Sequence, residues 1–407
     1  MDLLAAFLLA ILLVAILTVK MGLSPFLSLV VASLVYGLLS GMGPELIGHV
    51  ATGLGRIFSA LAVIVFSGSV IAEHLRRSGG ADRVVSDLLT LVGRRGALAS
   101  GLSGYLVTLP AMCSLTSYLI LEPVVREMGR KAGGYERRFL FSAAVFSIIS
   151  FNLVYPSPVL VTLTGSLAVS PAEALRFGLP LSLLLFVPVL IWMARFPVVG
   201  APAPSGGGPV PSRLLSWAPL ILPLAMILLG LVSPSAWFLG SVDVALLTGA
   251  LLSALLAKKE AGDMIRGATR RAGTIIFDLC GAGAFGYVVA QSGIGSELFS
   301  GLGTVVPVVV LPFLAASLIQ LAQGSRVVTV VIASEMMRGY PLEPVTLLFL
   351  ISAGAFTLSS FSDPYFWLVK ETTGSDLKEA LLWYSLPLTL CGLLVFAAAV
   401  LRWLFFI

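Results

Sequence analysis

Charged residues are scarce in this 407-residue chain, where 25 Lys and Arg with 20 Asp and Glu make up 11% of the total. Soluble domains carry about 25%, and no water-soluble core of this length hides 58% hydrophobic residues, so a soluble globule is excluded. Cysteine is scarcer still. Cys113, Cys280 and Cys391 stand alone within apolar segments, without CxxC or zinc-like spacing, which argues against a disulfide framework or a zinc site. The two histidines, His49 and His74, sit near segment ends and belong to no HExxH pattern, so both are expected at the membrane interface and not on a metal. The net charge of +5 is modest, and basic residues cluster in particular loops without interleaved aromatics, which argues against a nucleic-acid surface. Neither a basic stretch nor a small-residue cleavage site flanks the apolar run 3–19, which therefore predicts a retained helix and not a signal peptide.

What the chain does have is apolar length, with a mean hydropathy of +1.04 that marks a polytopic membrane protein. A bilayer span takes about 20 apolar residues, and candidates fall at 3–19, 24–41, 57–73, 138–169, 177–194, 214–232, 236–257, 272–291, 344–370 and 385–403. Two further stretches, 96–122 and 303–334, do not read as simple spans. Arg94 and Arg95 precede the first, and Arg126, Arg130, Lys131, Arg137 and Arg138 follow it, so both flanks carry the cytoplasmic signature. With Pro110 near its middle, the segment predicts a re-entrant helical hairpin whose tip must be surrounded by protein or a wet cavity. In the second stretch Ala322-Gln323-Gly324-Ser325-Arg326 interrupts at the matching position and predicts a mirror hairpin. Starting from an outside N-terminus, 20 of the 25 Lys and Arg then fall on the cytoplasmic side, leaving Arg56, Arg176, Arg326, Arg338 and Arg402 outside or at depth.

Short anchors recur in one order. Leu23-Ser24-Pro25 matches Val232-Ser233-Pro234, Ser78-Gly79 matches Ser292-Gly293, and Thr164-Gly165-Ser166 matches Thr373-Gly374-Ser375; Glu173-Ala174-Leu175 and Leu179-Pro180-Leu181 match Glu379-Ala380-Leu381 and Leu386-Pro387-Leu388. The offset stays between 206 and 214 residues. An odd number of spans per copy requires the second copy to be inverted. The predicted fold is an all-α polytopic membrane protein of two inverted repeats, each five transmembrane helices plus one re-entrant hairpin, with broken helices at the midplane. Residues 1–195 form the first repeat (scaffold 3–41, transport elements 57–194). A Pro, Gly and Ser-rich cytoplasmic linker covers 196–213, and 214–407 form the second repeat (scaffold 214–257, transport elements 272–403).

The run 139–169 is too long for one straight helix and is interrupted by Asn152, Tyr155, Pro156, Ser157 and Pro158; the run 347–370 carries Ser359, Ser360, Ser362, Asp363 and Pro364 between apolar halves. Freed carbonyls and helix ends at such breaks can hold a cation or an anionic ligand, although Pro can also simply kink a helix whose carbonyls are satisfied by Ser hydroxyls. Candidate substrate ligands are Pro110, Asn152, Ser157, Gln323, Gly324, Ser325, Arg326, Ser360, Ser362 and Asp363. Arg326 suits bidentate recognition of a carboxylate or phosphate, with a structural Arg326–Asp363 ion pair as the alternative. Asp278 and Asp363 are candidate carriers of a coupling ion, and an inert, neutral Asp278 is the alternative there. Glu73, Glu122 and Glu335 lie near segment ends and are expected to face solvent. Gly281-Ala282-Gly283-Ala284-Phe285-Gly286 matches GxGxxG without a preceding strand, so close packing of helices is expected and not dinucleotide binding.

At these residues the chain resembles a known family. Residues 272–405 resemble the gluconate permease family of the ion transporter superfamily through Gly281-Ala282-Gly283-Ala284-Phe285-Gly286, Gln291-Ser292-Gly293-Ile294-Gly295, Ala322-Gln323-Gly324-Ser325, Asp363, and Phe366-Trp367-Leu368-Val369-Lys370-Glu371. Residues 53–130 resemble it through Ser78-Gly79-Gly80-Ala81 and the hairpin around Leu109-Pro110, and the shorter ten-span relatives without an assigned substrate are more similar still. The resemblance implies an inverted-repeat transporter in the cell membrane, working by elevator-type alternating access. It implies a homodimer that moves a small organic anion with H+ or Na+ and has no cofactor. The chain departs from the family at three places: Arg326 follows Ser325 where the family is small and uncharged, Ser360-Phe361-Ser362 replace a His-Val-Asn pattern, and Ala111 and Met112 replace paired aromatics. Two other readings compete: a cation/proton antiporter using Asp363 and Asp278, and an intramembrane enzyme or receptor with Ser325 or Ser360 reactive, against which no His or Lys base is suggested.

Overall fold

The computed structural model describes residues 2–92, 95–193, 212–294, 297, 306–360 and 362–405, and among them there is no β-strand. In chain order the helices are α1 (Leu3–Ala15, continued by a π turn over Ile16–Lys20), α2 (Pro25–Leu39), α3 (Glu45–Ser78), α4 (Gly80–Leu91), α5 (Gly96–Ala111), α6 (Ser114–Lys131), α7 (Glu136–Leu153), α8 (Pro158–Leu167) and α9 (Pro171–Met193). There follow α10 (Arg213–Val232), α11 (Val242–Ala257), α12 (Ala261–Gln291), α13 (Val310–Gln323), α14 (Arg326–Met336), α15 (Pro344–Phe356), α16 (Pro364–Thr373) and α17 (Leu377–Phe405, with a π turn at Leu381–Ser385). Most of the expected linker 196–213 lies outside the described residues.

Local chemistry sets several starts. Ser24, Ser157, Glu343 and Asp363 each accept a backbone amide as N-cap, and each is followed at once by a proline, the residue whose missing N–H and fixed φ suit the first helical turn. Six stretches are long and apolar enough to cross a bilayer: Glu45–Ser78, Glu136–Leu167, Pro171–Pro188, Arg213–Val232, Val242–Gln291 and Leu377–Phe405; four shorter apolar helices, α1, α2, α13 and α15, accompany them. The segments expected at 236–257 and 272–291 are separate helices, α11 and α12, joined by the turn Lys258–Glu260, where Lys258 takes φ 51° and ψ −117°. Helix α3 runs 34 residues, about 51 Å at 1.5 Å per residue, well beyond the apolar window 57–73. Its first turns are amphipathic, so hydropathy alone underestimates it.

Two helices are enclosed along almost their whole length. Every residue of α7 from Phe139 to Leu153 and of α15 from Val345 to Phe356 is buried, as expected of helices hydrophobic on all sides. Leu214, Val232, Leu255 and Phe405, by contrast, are exposed on α10, α11 and α17, the apolar outer surface of a membrane protein. Helices α3 and α12 pack together along their length. A Cβ on Gly53 would lie 2.3 Å from the Gly283 carbonyl oxygen, and one on Gly283 would lie 2.5 Å from that of Gly53. Thus the Gly281–Gly286 motif is a close-packing surface, and Gly286 backs directly onto Val331 and Ile332 of α14.

Of the three carboxylates expected to face solvent, Glu73 is buried, while Glu122 and Glu335 are partly exposed. Glu73 is 2% exposed and is held by Arg76, Arg77 and, from α12, Arg271. Glu122 pairs with Arg126, and Glu335 lies between Arg56 and Arg338. Proximity to a segment end marked them as solvated, but each stands within reach of an arginine. His74 is likewise buried within the protein.

Candidate functional site

The two stretches expected to form hairpins are each interrupted at one short break. Between α5 and α6, Met112 adopts the left-handed conformation with φ 54° and Cys113 caps α6. Pro110 does not form this tip. It lies two residues earlier inside α5, fully buried, where a proline near a helix end removes one amide without breaking the helix. Between α13 and α14, Gly324 takes φ +73°, and a Cβ there would lie 2.1 Å from the carbonyl oxygen of Ser362. Both the dihedral and the contact require glycine. The Gln320 side chain closes this tip by donating to the Gly324 carbonyl at 2.9 Å and accepting from Thr329 at 2.8 Å.

The two helix breaks come to the same place. Helix α7 ends at Leu153 and α8 starts at Pro158; α15 ends at Phe356 and α16 starts at Pro364. A cavity of about 150 Å³ is lined by Met112, Cys113, Ser114 and Leu115 from the first tip and by Gly324, Ser325, Arg326 and Val327 from the second. Phe151 and Pro158 from the first break, Asp363, Pro364 and Tyr365 from the second, and Val65, Ile275 and Leu279 of α3 and α12 complete it. The first turns of α6, α8, α14 and α16 thus open onto one space. Each helix start carries roughly +0.5 elementary charge, although α8 and α16 begin with Pro158 and Pro364, which have no N–H, and the Tyr365 amide is taken by Asp363. At α14 the N-cap Ser325 makes no side-chain capping bond, so this start is not satisfied by its own hydroxyl.

Arg326 is 5% and Asp363 1% exposed. Arg326 Nη1 lies 3.2 Å from Asp363 Oδ2, and Nη2 donates to Ser359 Oγ at 2.8 Å and to Tyr384 Oη at 3.2 Å. Tyr384 donates in turn to Asp363 Oδ2 at 3.0 Å, while Asp363 Oδ1 accepts the Tyr365 amide at 2.9 Å. The two charges are therefore an ion pair on the cavity wall. Arg326 Nε, Gln323 Oε1 and both amide atoms of Asn152 are buried without a hydrogen-bond partner, which leaves polar capacity beside the two tips.

The other candidate residues divide. Ser157 caps α8 beside the lining Pro158, and Ser360 bonds its hydroxyl to the Leu358 carbonyl. Ser362 ties the second break to the second tip by donating to the Leu321 carbonyl at 2.5 Å. Pro110, Asn152, Gln323, Ser360 and Ser362 are not on the cavity wall. Asp278 is turned away as well, accepting the Phe26 amide at the start of α2 at 3.2 Å, although Ile275 and Leu279 on the same helix line the cavity. Sequence reasoning missed Tyr384, Met112 and Cys113. A hydroxyl within an apolar run marked Tyr384, the departure from paired aromatics marked Met112, and nothing local marked Cys113.

The model of the GntP permease family matches residues 1–192 and 216–405. The chain belongs to this family. A low-affinity gluconate transporter of Escherichia coli is 25% identical over 426 residues, covering 94% of each protein, and the D-serine transporter DsdX of the same species is 23% identical over 421 residues, covering 93% of each. Among solved structures, the YdaH transporter of Alcanivorax borkumensis superposes with a TM-score of 0.62 at 18% identity, covering 88% of each chain, which relates this chain to a transporter fold. This chain is a multi-pass permease of the cell membrane and not an enzyme.

Proposed function

We propose that this permease is a secondary active transporter of a small organic anion, a carboxylate such as a sugar acid, bound between the two tips and the two breaks. The observation that carries the reading is the convergence of four helix starts on one cavity whose wall holds Arg326. Helix N-termini bind carboxylates through free amides and aligned dipoles, and the neighbouring helix ends at Met112, Phe151 and Gly324 supply carbonyls of opposite polarity for a cation. Gluconate and D-serine, the solutes named for two relatives, are both small carboxylates. The cavity between the tips has a volume of about 150 Å³. It suits a compact acid, with a longer sugar acid requiring the tips to part.

In this reading substrate moves with a proton or sodium ion, carried at Asp363 or Asp278, by elevator-type alternating access in a homodimer. Residues 57–194 and 272–403 of two inverted repeats form the moving unit, and 3–41 and 214–257 form the scaffold. The linker at 196–213 joins them. Uptake into proteoliposomes across a panel of sugar acids, short hydroxy acids and amino acids, under imposed proton and sodium gradients, tests it. Saturable uptake of a carboxylate is expected. Absence of uptake for every acid, with proton efflux on adding sodium alone, would replace the reading with cation/proton antiport.

A further inference from the structure

We propose that a groove between α9 and α17 holds an anionic phospholipid, whose phosphate bridges Arg176 and Arg402 while an acyl chain lies along the apolar wall below them. The site is separate from the cavity between the tips. Positive-inside bookkeeping leaves five arginines off the cytoplasmic side, and four of them meet carboxylates. Arg56 and Arg338 meet Glu335, Arg326 meets Asp363, and Arg402 meets Glu343 at 3.2 Å. Arg176 is exposed and has no such partner among the described residues. Glu173, one turn before it, instead accepts the amide and hydroxyl of Ser170. The arginine left without an acid is the one on the groove wall beside Arg402.

The groove has a volume of about 640 Å³, and its wall carries two guanidinium groups and no acid. On α9 it is formed by Arg176, Pro180 and Leu184, and on α17 by Ala398, Leu401 and Arg402, spacings that put each set on one helix face. The Arg402 guanidinium lies 5.6 Å from the ring of Phe177, which brings the two arginine-bearing ends together. Both arginines stand within two turns of a helix end, the depth at which basic side chains reach lipid phosphates. A planar guanidinium suits a phosphate. From Arg176 to Leu184 the wall descends about 12 Å at 1.5 Å per residue past exposed Pro180, Leu184 and Leu401, a surface that a free phosphate would not use and an acyl chain would cover. In a two-fold dimer closed through this groove the same wall would face itself and set like charges together. The bridging phosphate would tie α9 of the first half to α17 of the second and, through Arg402 and Glu343, to the start of α15.

The test reads melting temperature of the delipidated, detergent-solubilised permease after adding phosphatidylglycerol or phosphatidylcholine with identical acyl chains. Wild type is expected to melt about 3 °C higher with phosphatidylglycerol. Arg176→Ala should lose that difference while keeping its melting temperature in phosphatidylcholine, because the side chain it removes is exposed and pairs with no acid. Ala398→Phe, which fills the groove and leaves both charges, should lose the difference too; if it does not fold, Leu401→Gln at an exposed position of the same wall takes its place. Arg266→Ala, which removes an exposed arginine of α12 far from the groove, should keep the difference. Equal melting of wild type in the two lipids overturns the proposal, as does a phosphatidylglycerol gain that survives either groove variant or vanishes in Arg266→Ala. The same gain from inorganic phosphate alone overturns it, since no acyl chain would then be needed. A change of oligomeric state in Arg176→Ala on size-exclusion chromatography also overturns it, by showing that a second copy covers the groove. None of these measurements needs uptake, so failure of the organic-anion reading would leave the lipid site in place, and failure of the lipid site would leave that reading in place.

Discussion

At the first tip, Met112 and Cys113 bring a thioether and a thiol to the cavity, and the break beside it holds Asn152 with neither amide atom bonded. At the second tip Arg326 arrives, and the break opposite answers with Asp363, Ser359 and, through α17, Tyr384. Both places have a left-handed residue at the tip and helix starts aimed inward. The backbone device is shared, and the charge is confined to the second of the two places. The first half can therefore contribute backbone amides and fit, while the second fixes electrostatics through a network that must stay complete.

Breaking that network should have the largest effect. Arg326→Ala is expected to lower stability by about 3–5 kcal/mol, because it strands a buried carboxylate. R326A/D363N should recover most of the loss in a chemical or thermal unfolding measurement. A Cys113→Ala change at the opposite tip should cost under about 1 kcal/mol. Equal losses at the two tips would end the distinction between them.

Next comes the backbone itself. Gly324→Ala faces both φ +73° and a 2.1 Å approach to the Ser362 carbonyl, and should cost about 3 kcal/mol. It should also lower the melting temperature and abolish uptake by separating tip from break. Normal uptake in G324A would mean that the second tip tolerates displacement.

Asn152→Leu sharpens the comparison from the other side. Its amide is unpaired, so stability should change by about 1 kcal/mol or less, while uptake should fall on the order of tenfold if a ligand or its water uses that amide. Unchanged uptake would restrict the first half to backbone contacts.

The smallest effect lies at the membrane surface. Burial would raise the Glu343 carboxyl, but the Thr346 amide and hydroxyl, with Arg402, outweigh it and hold the group below its ordinary value. The folded value is depressed, so its stabilisation is full above the unfolded value of roughly 4.3 and fades as pH falls through the folded one. The melting-temperature difference between wild type and Glu343→Gln should therefore be small at pH 7 and vanish toward pH 3. A difference that grows on acidification would reverse the sign.

Much of this site was legible locally. Ser157-Pro158 and Asp363-Pro364 are capping pairs whose chemistry ends one helix path and begins another, so both breaks stand out in the chain itself. Gly324 was legible too, since an interrupted apolar run with glycine marks a turn. Pro110 misled by two residues, because proline is a frequent breaker and an αL methionine is a rare one. Glu73 misled because a hydropathy profile counts charges and does not see that Arg271 of α12 meets it from another helix.

The sequence by itself determined that the chain lives in a bilayer, where its spans are interrupted, and which rare charges lie among apolar residues, because solvation and backbone capping act over a few residues. Only the tertiary structure decided that Arg326 meets Asp363 and Tyr384, that four helix starts share one cavity, and that Asp278 turns to α2. Those outcomes join residues from 21 to 252 positions apart. A buried charge takes whichever partner the packing delivers, and no local pattern encodes that partner.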